Sequence, residues 1–248
     1  KDQDDWMKYR HQMAFNPARI PSSIRKWYSQ ARAEGRFICY SGHACFHPTW
    51  MRLGMETMMM LMLDNPAFID DMYAAHTQLV IDIFEGMQKL GLEFDGAFFS
   101  DDLGYRTSSL ISPKLYRELV FPHHKRLCDY FSKRNLKTFL HTDGDISGLI
   151  PHFLDAGFAG LHPLEAKAGL DIRKLKPLYG DQLVFFGNID VTKLNGSKEA
   201  IEEEVLGKLP IAMQNGGYIY HSDHSVPNDI SFENYSFLIN LLQQHGQY

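Results

Sequence analysis

The sequence predicts an α/β fold of the (β/α)8 TIM-barrel type that lacks the first one or two βα units. Short apolar runs alternate with longer amphipathic segments, and such alternation requires a parallel sheet. Each apolar run ends in polar residues able to do chemistry. This favours a barrel, which builds its active site from the carboxyl ends of several strands. The chain also lacks the G-x-G-x-x-G and G-x-x-x-x-G-K-[ST] patterns of nucleotide-binding sheets.

Six short runs are predicted to be strands. They are apolar at consecutive positions and rich in β-branched or aromatic residues, which is typical of parallel strands covered on both faces. The runs are Arg36–Tyr40, Gly96–Phe99, Lys137–Leu140, Ala159–Leu161, Leu183–Phe186 and Gly217–Tyr220. A complete barrel has eight strands. We therefore expect a helical lead over residues 1–35 and a single, N-terminally shortened catalytic barrel over residues 36–248.

Helices are predicted between these strands. Asn65 and Pro66 form a helix start and Gly91 a stop, so one helix is predicted over Pro66–Leu90. The others are expected to begin at Ser112 and Ser197, to span Asp145–Ala156 and Asp171–Tyr179, and to run from Ser231 to about His245. The methionines at 55, 58, 59, 60 and 62 are predicted to fill a core or an interface. His123 and His124 are predicted to lie on a solvated helix surface.

Composition narrows the class of protein. The 248 residues are 44% hydrophobic and 22% charged, which excludes a disordered or fibrous chain. A net charge of -5 argues against binding to nucleic acid. No apolar run reaches the roughly 18 residues of a membrane helix. Three cysteines, Cys39, Cys45 and Cys128, are too few and too irregularly spaced for a disulfide framework, so we expect free thiols and a cytoplasmic location.

Five motifs follow the predicted strands in a fixed order. They are Phe99-Ser-Asp-Asp-Leu-Gly, Ser112-Pro113, His141-Thr-Asp-Gly, Gly187-Asn-Ile-Asp and His221-Ser-Asp-His-Ser-Val-Pro. Their order over residues 36–248 resembles the uroporphyrinogen decarboxylase superfamily, and in particular its branch of corrinoid-dependent methyltransferases of the methanol and chloromethane type. The resemblance implies a TIM barrel, methyltransferase activity and a corrinoid (cobalamin) carried on a partner protein.

The resemblance also implies a zinc site. The methyltransferase branch ligates zinc through His-x-Cys after one strand and a Cys after the last. Here His141 matches the histidine, Asp143 stands at the first cysteine position and His224 at the second. Three protein ligands and an open position describe a catalytic site, and a His/Asp set also suits other divalent metals. We therefore predict a metal held by His141, Asp143 and His224.

Further strand-end residues are predicted to act on a substrate. Asp101 and Asp102 are paired carboxylates suited to acid–base chemistry, and with His141 and His224 they form the predicted catalytic set. The predicted substrate-binding residues are His43, His162, Asn188, Asp190 and His221. Each of these residues also has a structural interpretation. Asp and Asn, for example, commonly cap helices and shape turns. The alternating His43, Cys45 and His47 lack a fourth nearby ligand, which favours a structural role for that trio.

Three functions are compatible with these patterns. The first is a methyltransferase that moves a methyl group between a corrinoid and a small acceptor or donor. The second is a decarboxylase (a lyase) of uroporphyrinogen or another carboxylate, although strand ends rich in Asp and His and poor in Arg would repel a polyanion. The third is a non-catalytic, incomplete barrel acting as a binding protein, in which a homodimer would cover exposed strand edges.

Overall fold

The computed structural model describes residues 2–248 and contains a parallel six-stranded α/β sheet. The strands follow one another across the sheet in chain order. They are β1 Cys39–His43, β2 Gly96–Ser100, β3 Lys137–His141, β4 Gly160–His162, β5 Val184–Phe186 and β6 Tyr218–Ile219. The predicted fold class, a parallel α/β barrel type short of the full set of strands, is confirmed.

Helices connect the strands. They are α1 Gln3–Tyr9, α2 Ile24–Ala33, α3 Phe46–Leu53, α4 Met55–Asp64, α5 Pro66–Lys89, α6 Pro113–Leu115, α7 Phe121–Ser132, α8 Ile150–Ala156, α9 Ile172–Tyr179, α10 Lys198–Ala212 and α11 Phe232–His245. A π-helical turn, Tyr116–Val120, joins α6 to α7. Between residues 2 and 248, no helix combines the length and the apolar character that crossing a membrane requires.

The chain forms two compact units. The first comprises the described residues up to Asp102 together with Ile111–Leu140 and Pro151–Phe158. The second comprises Leu103–Leu110, His141–Ile150 and Ala159–Tyr248. The predicted boundary between a lead and a catalytic domain near residue 35 stays a prediction.

An aromatic core holds β1, β2, α5 and α7 together in the first unit. Tyr40 packs edge-on against Phe84 with ring centroids 5.3 Å apart, and Phe84 packs against Phe131 at 4.9 Å. The Tyr40 hydroxyl donates to the Val80 carbonyl at 2.7 Å, so the buried ring also satisfies its polar end. The α5 helix begins where predicted, because the Asn65 side chain accepts from the Phe68 amide.

Two details of the first unit differ from the predictions. Strand β1 begins at Cys39 rather than Arg36, because the Ile38 amide donates to the Asp95 carboxylate at 2.7 Å and not to a neighbouring strand. The methionine-rich segment forms α4. Its Met58 and Met62 are buried beneath Tyr73, as predicted for a core, whereas Met60 is 58% exposed.

Strands β4, β5 and β6 pair in parallel in the second unit, with Leu161 opposite Phe185 and Phe185 opposite Tyr218. The predicted helix over Asp145–Ala156 begins only at Ile150, after a short 3-10 turn. Near that turn, Gly104 lies so close to Asp143 and Gly144 that a Cβ on either glycine would collide with the opposite backbone. These two positions therefore require glycine.

Candidate functional site

Three imidazoles meet in the second unit at the carboxyl ends of strands. His141 and His162 are the last residues of β3 and β4, and His221 follows β6 by two positions. His141 Nδ1 lies 2.7 Å from His162 Nδ1, and the rings of His162 and His221 meet edge to face with centroids 4.4 Å apart. The Thr142 amide donates to the His162 carbonyl at 2.9 Å, which fixes the two strand ends in register.

The surroundings of His162, the central imidazole of this cluster, keep its ring uncharged. Burial, together with the neighbouring imidazoles of His221 and His141, lowers the pKa of His162 to about 3. His162 is therefore neutral near pH 7. Because only one hydrogen fits between the two facing Nδ1 atoms, one imidazole donates and the other accepts. Neutral imidazoles of this kind ligate metals and accept hydrogen bonds, but they do not attract carboxylates.

Two of the three predicted metal ligands lie close together. His141 Nε2 is 3.8 Å from Asp143 Oδ2. Ligands bound at about 2.0–2.2 Å to one tetrahedral ion stand roughly 3.3–3.6 Å apart, so this pair fits two positions of a zinc site after a small shift. His224 is exposed, and it belongs to no group of three candidate ligand atoms within 4.8 Å of one another in residues 2–248. The ligand role of His224 stays a prediction.

Asn188 and Asp190, the polar residues that follow β5, form hydrogen bonds with the backbone of nearby segments. The fully buried Asn188 side chain donates to the carbonyls of Leu164 and Leu170 and accepts from the Ile172 amide. Asp190 caps the next helical turn by accepting from the Thr192 amide and hydroxyl. These contacts give both residues structural roles. Their predicted contact with a substrate stays a prediction.

Asp101, at the end of β2, is a completely buried carboxylate in the first unit. It accepts hydrogen bonds from the backbone amides of Cys45, Phe46 and His47, and His124 Nε2 lies 2.8 Å from its Oδ2. Burial alone would raise the pKa of Asp101, but the hydrogen bonds from His124 and from the backbone lower it overall. Asp101 thus anchors the start of α3. Its predicted catalytic role stays a prediction.

The predicted solvated surface at His123 and His124 is wrong. Both side chains are buried, at 6% and 0% exposure. His124 Nδ1 lies 3.0 Å from the Tyr116 hydroxyl, and His123 Nε2 lies 2.9 Å from Asp70. A signal in the sequence was available, because His124 shares helical spacing with the apolar positions that follow it on α7.

His47 is the functional candidate that sequence analysis missed. It stands on α3, with Nδ1 2.8 Å from Asp102 Oδ2. Its ring stacks on Trp50 with centroids 4.7 Å apart and planes at 22°. The predicted substrate-binding residue His43 lies beside it, with ring centroids 5.0 Å apart. The structure therefore brings Asp102 and His43 together with a residue assigned only a structural role.

Comparison with known proteins identifies relatives. The family model described as uroporphyrinogen decarboxylase (URO-D) matches residues 49–245. A uroporphyrinogen decarboxylase of Syntrophotalea carbinolica is 26% identical over 147 residues, which cover 56% of this chain and 39% of that protein. A methyltransferase from Methanosarcina mazei superposes with a TM-score of 0.61 at 20% identity, covering 78% of this chain and 54% of the other. The chain thus spans about two fifths to one half of the length of these two proteins, and the structural likeness shows the fold.

Proposed function

Because this chain belongs to the uroporphyrinogen decarboxylase family, we propose that it is an enzyme that moves a methyl group between a corrinoid and a small acceptor or donor. The observation that carries this proposal is the imidazole cluster of His141, His162 and His221, with Asp143 beside it. The corrinoid would reach the site on a partner protein. The structural likeness to a methyltransferase from Methanosarcina mazei agrees with this proposal.

The residues of the cluster have separate tasks in this function. His141 Nε2 and Asp143 would hold a divalent ion such as zinc, which when bound polarises a coordinated acceptor or donor. His162 contacts the opposite nitrogen of His141 and so fixes the direction in which Nε2 points. Because the pKa of His162 lies near 3, it performs this task as a neutral group throughout the physiological range.

Decarboxylation is the second candidate, supported by the curated relative that carries this name. Its polycarboxylate substrate would need a cationic surface. In the second unit, Arg173 is already paired with Asp171, and Lys167 lies 3.6 Å from Glu165. We therefore rank decarboxylation of a porphyrinogen below methyl transfer. Product analysis with uroporphyrinogen separates the two, because only a decarboxylase would release carbon dioxide.

The test is turnover of methylcobalamin by the purified chain, with zinc content measured on the same sample. We expect zinc to be retained through gel filtration and cob(I)alamin to form when a thiol or folate acceptor is added. Absence of both zinc and demethylation with every acceptor would refute the proposal.

A matched pair of variants sharpens this test. H162N removes the contact that orients His141, and we expect zinc affinity to fall about 10- to 100-fold. H245N makes the same substitution at an exposed position on α11 and should bind zinc like the wild type. Equal zinc affinities of the two variants would show that the His141–His162 contact does not support metal binding.

A further inference from the structure

Three side chains of metal-binding type meet in the interior of the first unit. Cys45 directly precedes α3, Asp101 directly follows β2 and His124 lies on α7. The Cys45 sulfur, a carboxylate oxygen of Asp101 and a ring nitrogen of His124 all lie within 4.8 Å of one another. None of the three residues is exposed to solvent. Because they are far apart in the sequence, only the folded chain assembles this set.

Four groups converge on one oxygen of this set. His124 Nε2 lies 2.8 Å from Asp101 Oδ2, and the Cys45 thiol donates to the same atom at 3.9 Å. The backbone amides of Cys45 and Phe46 also donate to Oδ2. A carboxylate oxygen offers about two lone-pair positions, so four donors exceed what Oδ2 can accept with good geometry. A single dication in place of the imidazole and thiol protons would relieve this crowding.

The spacing of the three side chains suits such an ion. Zinc binds thiolate sulfur at about 2.3 Å and nitrogen or carboxylate oxygen at about 2.0–2.2 Å, so two ligands of a tetrahedral ion stand roughly 3.3–3.7 Å apart. The distance from Asp101 to His124 must open, and that to Cys45 must close, by no more than about 0.5 Å each. Asp101 Oδ1, whose one hydrogen-bond partner in residues 2–248 is the His47 amide, can complete the shell as the second oxygen of the carboxylate.

His124 is oriented from its other side. Its Nδ1 lies 3.0 Å from the hydroxyl of Tyr116, a completely buried residue. Tyr116 begins the π-helical turn that joins α6 to α7, and such turns are frequent at functional sites. Histidines that bind metals almost always engage the opposite ring nitrogen in a hydrogen bond. A proton donated from Nδ1 to Tyr116 leaves the Nε2 lone pair directed at the cluster.

We propose that Cys45, Asp101 and His124 form a zinc site that joins the start of α3, the end of β2 and α7. This inference is independent of the proposed methyl transfer. Binding releases the thiol proton of Cys45 to solvent, and His124 binds as a neutral ring with its proton on Nδ1. The charges of the dication, the thiolate and the carboxylate then cancel, as a site without solvent favours. The three backbone amides that hold Asp101 stay in place.

Cobalt reports directly on the sulfur ligand. A thiolate bound to Co²⁺ gives an intense sulfur-to-cobalt charge-transfer band in the near ultraviolet, which a site of imidazoles and carboxylates cannot give. We expect this band from the full chain produced in zinc-depleted medium supplemented with cobalt. The band should remain in H141N, which lacks a ligand of the metal proposed in the second unit. Its absence from the wild-type chain would overturn the proposal.

Two matched pairs of variants identify the ligands. C45S and C128S each change a buried thiol, and H124N and H123N change adjacent buried histidines of α7. We expect C45S to lose the charge-transfer band, whereas C128S keeps it. H124N should bind cobalt at least about 100-fold more weakly than H123N, because loss of an outer partner of a ligand alone costs about 10- to 100-fold. A full band in C45S, or equal affinities of the two histidine variants, would overturn the proposal.

A last measurement leaves the cluster unchanged, so it decides the question even where C45S or H124N is unfolded by circular dichroism. X-ray absorption at the zinc edge of H141N should show one sulfur at about 2.3 Å from the metal. A shell of nitrogen and oxygen only, or a chain without zinc, would overturn the inference. Failure of the wild type to demethylate methylcobalamin would refute the proposed function and leave a sulfur-ligated zinc at Cys45 unaffected.

Discussion

Replacing Asp101 by asparagine tests whether this carboxylate holds α3 in place. The wild-type group accepts three backbone amides and contacts His124, with no exposure to solvent. An asparagine of the same shape must turn its amide nitrogen toward at least one of these donors. The least costly orientation faces it toward the amide of His47, since Asp101 Oδ1 has that single partner.

The size of the effect follows from these contacts. One buried amide is left without an acceptor, which costs about 1–3 kcal/mol, and the contact with His124 loses its charge. We expect D101N to lower the free energy of unfolding by about 2–4 kcal/mol. D101A would leave all four donors unpaired. Its loss should approach the 5–15 kcal/mol total stability of a typical domain.

The dependence on pH gives a second, independent check. The folded pKa of Asp101 lies below its unfolded value of about 3.9, so its stabilising contribution is present above that pH. The contribution disappears as the pH falls through the folded pKa. The difference between wild type and D101N should therefore be largest near neutral pH and shrink below about pH 4.

Urea denaturation followed by circular dichroism measures these differences. D129N is the matched control, because Asp129 lies on α7 in an exposed pair with Lys125. Its effect should stay within about 0.5 kcal/mol. A D101N loss no larger than that of D129N would refute the assignment of Asp101 as the anchor of α3.

Three further substitutions have expected outcomes in the same assay. F84A should lose about 3–5 kcal/mol because the fully buried ring contacts Tyr40 and Phe131. K208A should lose about 3–5 kcal/mol because it leaves the half-buried carboxylate of Glu204, now 2.5 Å from Lys208 Nζ, without its cationic partner and with only the Asp190 amide as a donor. Between pH 7 and pH 4, His76 should cost the wild type on the order of 3 kcal/mol of its free energy of unfolding, and H76Q should not show this loss. Burial lowers the pKa of His76 to about 4, so the folded wild type resists a protonation that the unfolded chain accepts from about pH 6.5 downwards.

Each of these substitutions has an exposed counterpart. F232A removes a ring that is 86% exposed, K125A breaks the surface pair with Asp129, and H245Q changes an exposed histidine. We expect each control to change stability by less than about 0.5 kcal/mol. A buried variant that behaves like its control would show that the corresponding packing or ion pair is absent in solution.

The fold could be predicted because buried parallel strands leave a local pattern. Val184–Phe186 is apolar at every position, as expected of a parallel strand that is covered on both faces, and such a run can be recognised without any knowledge of the tertiary structure. Helix α4 could not be predicted in this way. Its sequence is apolar on several faces, so no single stripe marks the side that packs.

The candidate site was predictable in part for the same reason. His141 and His162 end apolar runs, and parallel strands end at one edge of a sheet. Roles that depend on contacts distant in sequence could not be predicted. Asp101 differs from Asp102 only in which partners the fold supplies, and those partners lie 23 or more residues away. The pairing of His47 with Asp102 was missed for the same reason.

The close approach of Gly104 to Gly144 limits how this protein could acquire a new substrate. Any side chain at either position would force the two loops apart, so the path of the main chain beside Asp143 is effectively invariant. In the proposed site, selectivity would then change through exchange of the side chains that project from this fixed frame, such as the exposed Tyr105 next to Gly104. A mutant library for altered selectivity should leave Gly104 and Gly144 unchanged and randomise the residues next to them in the chain.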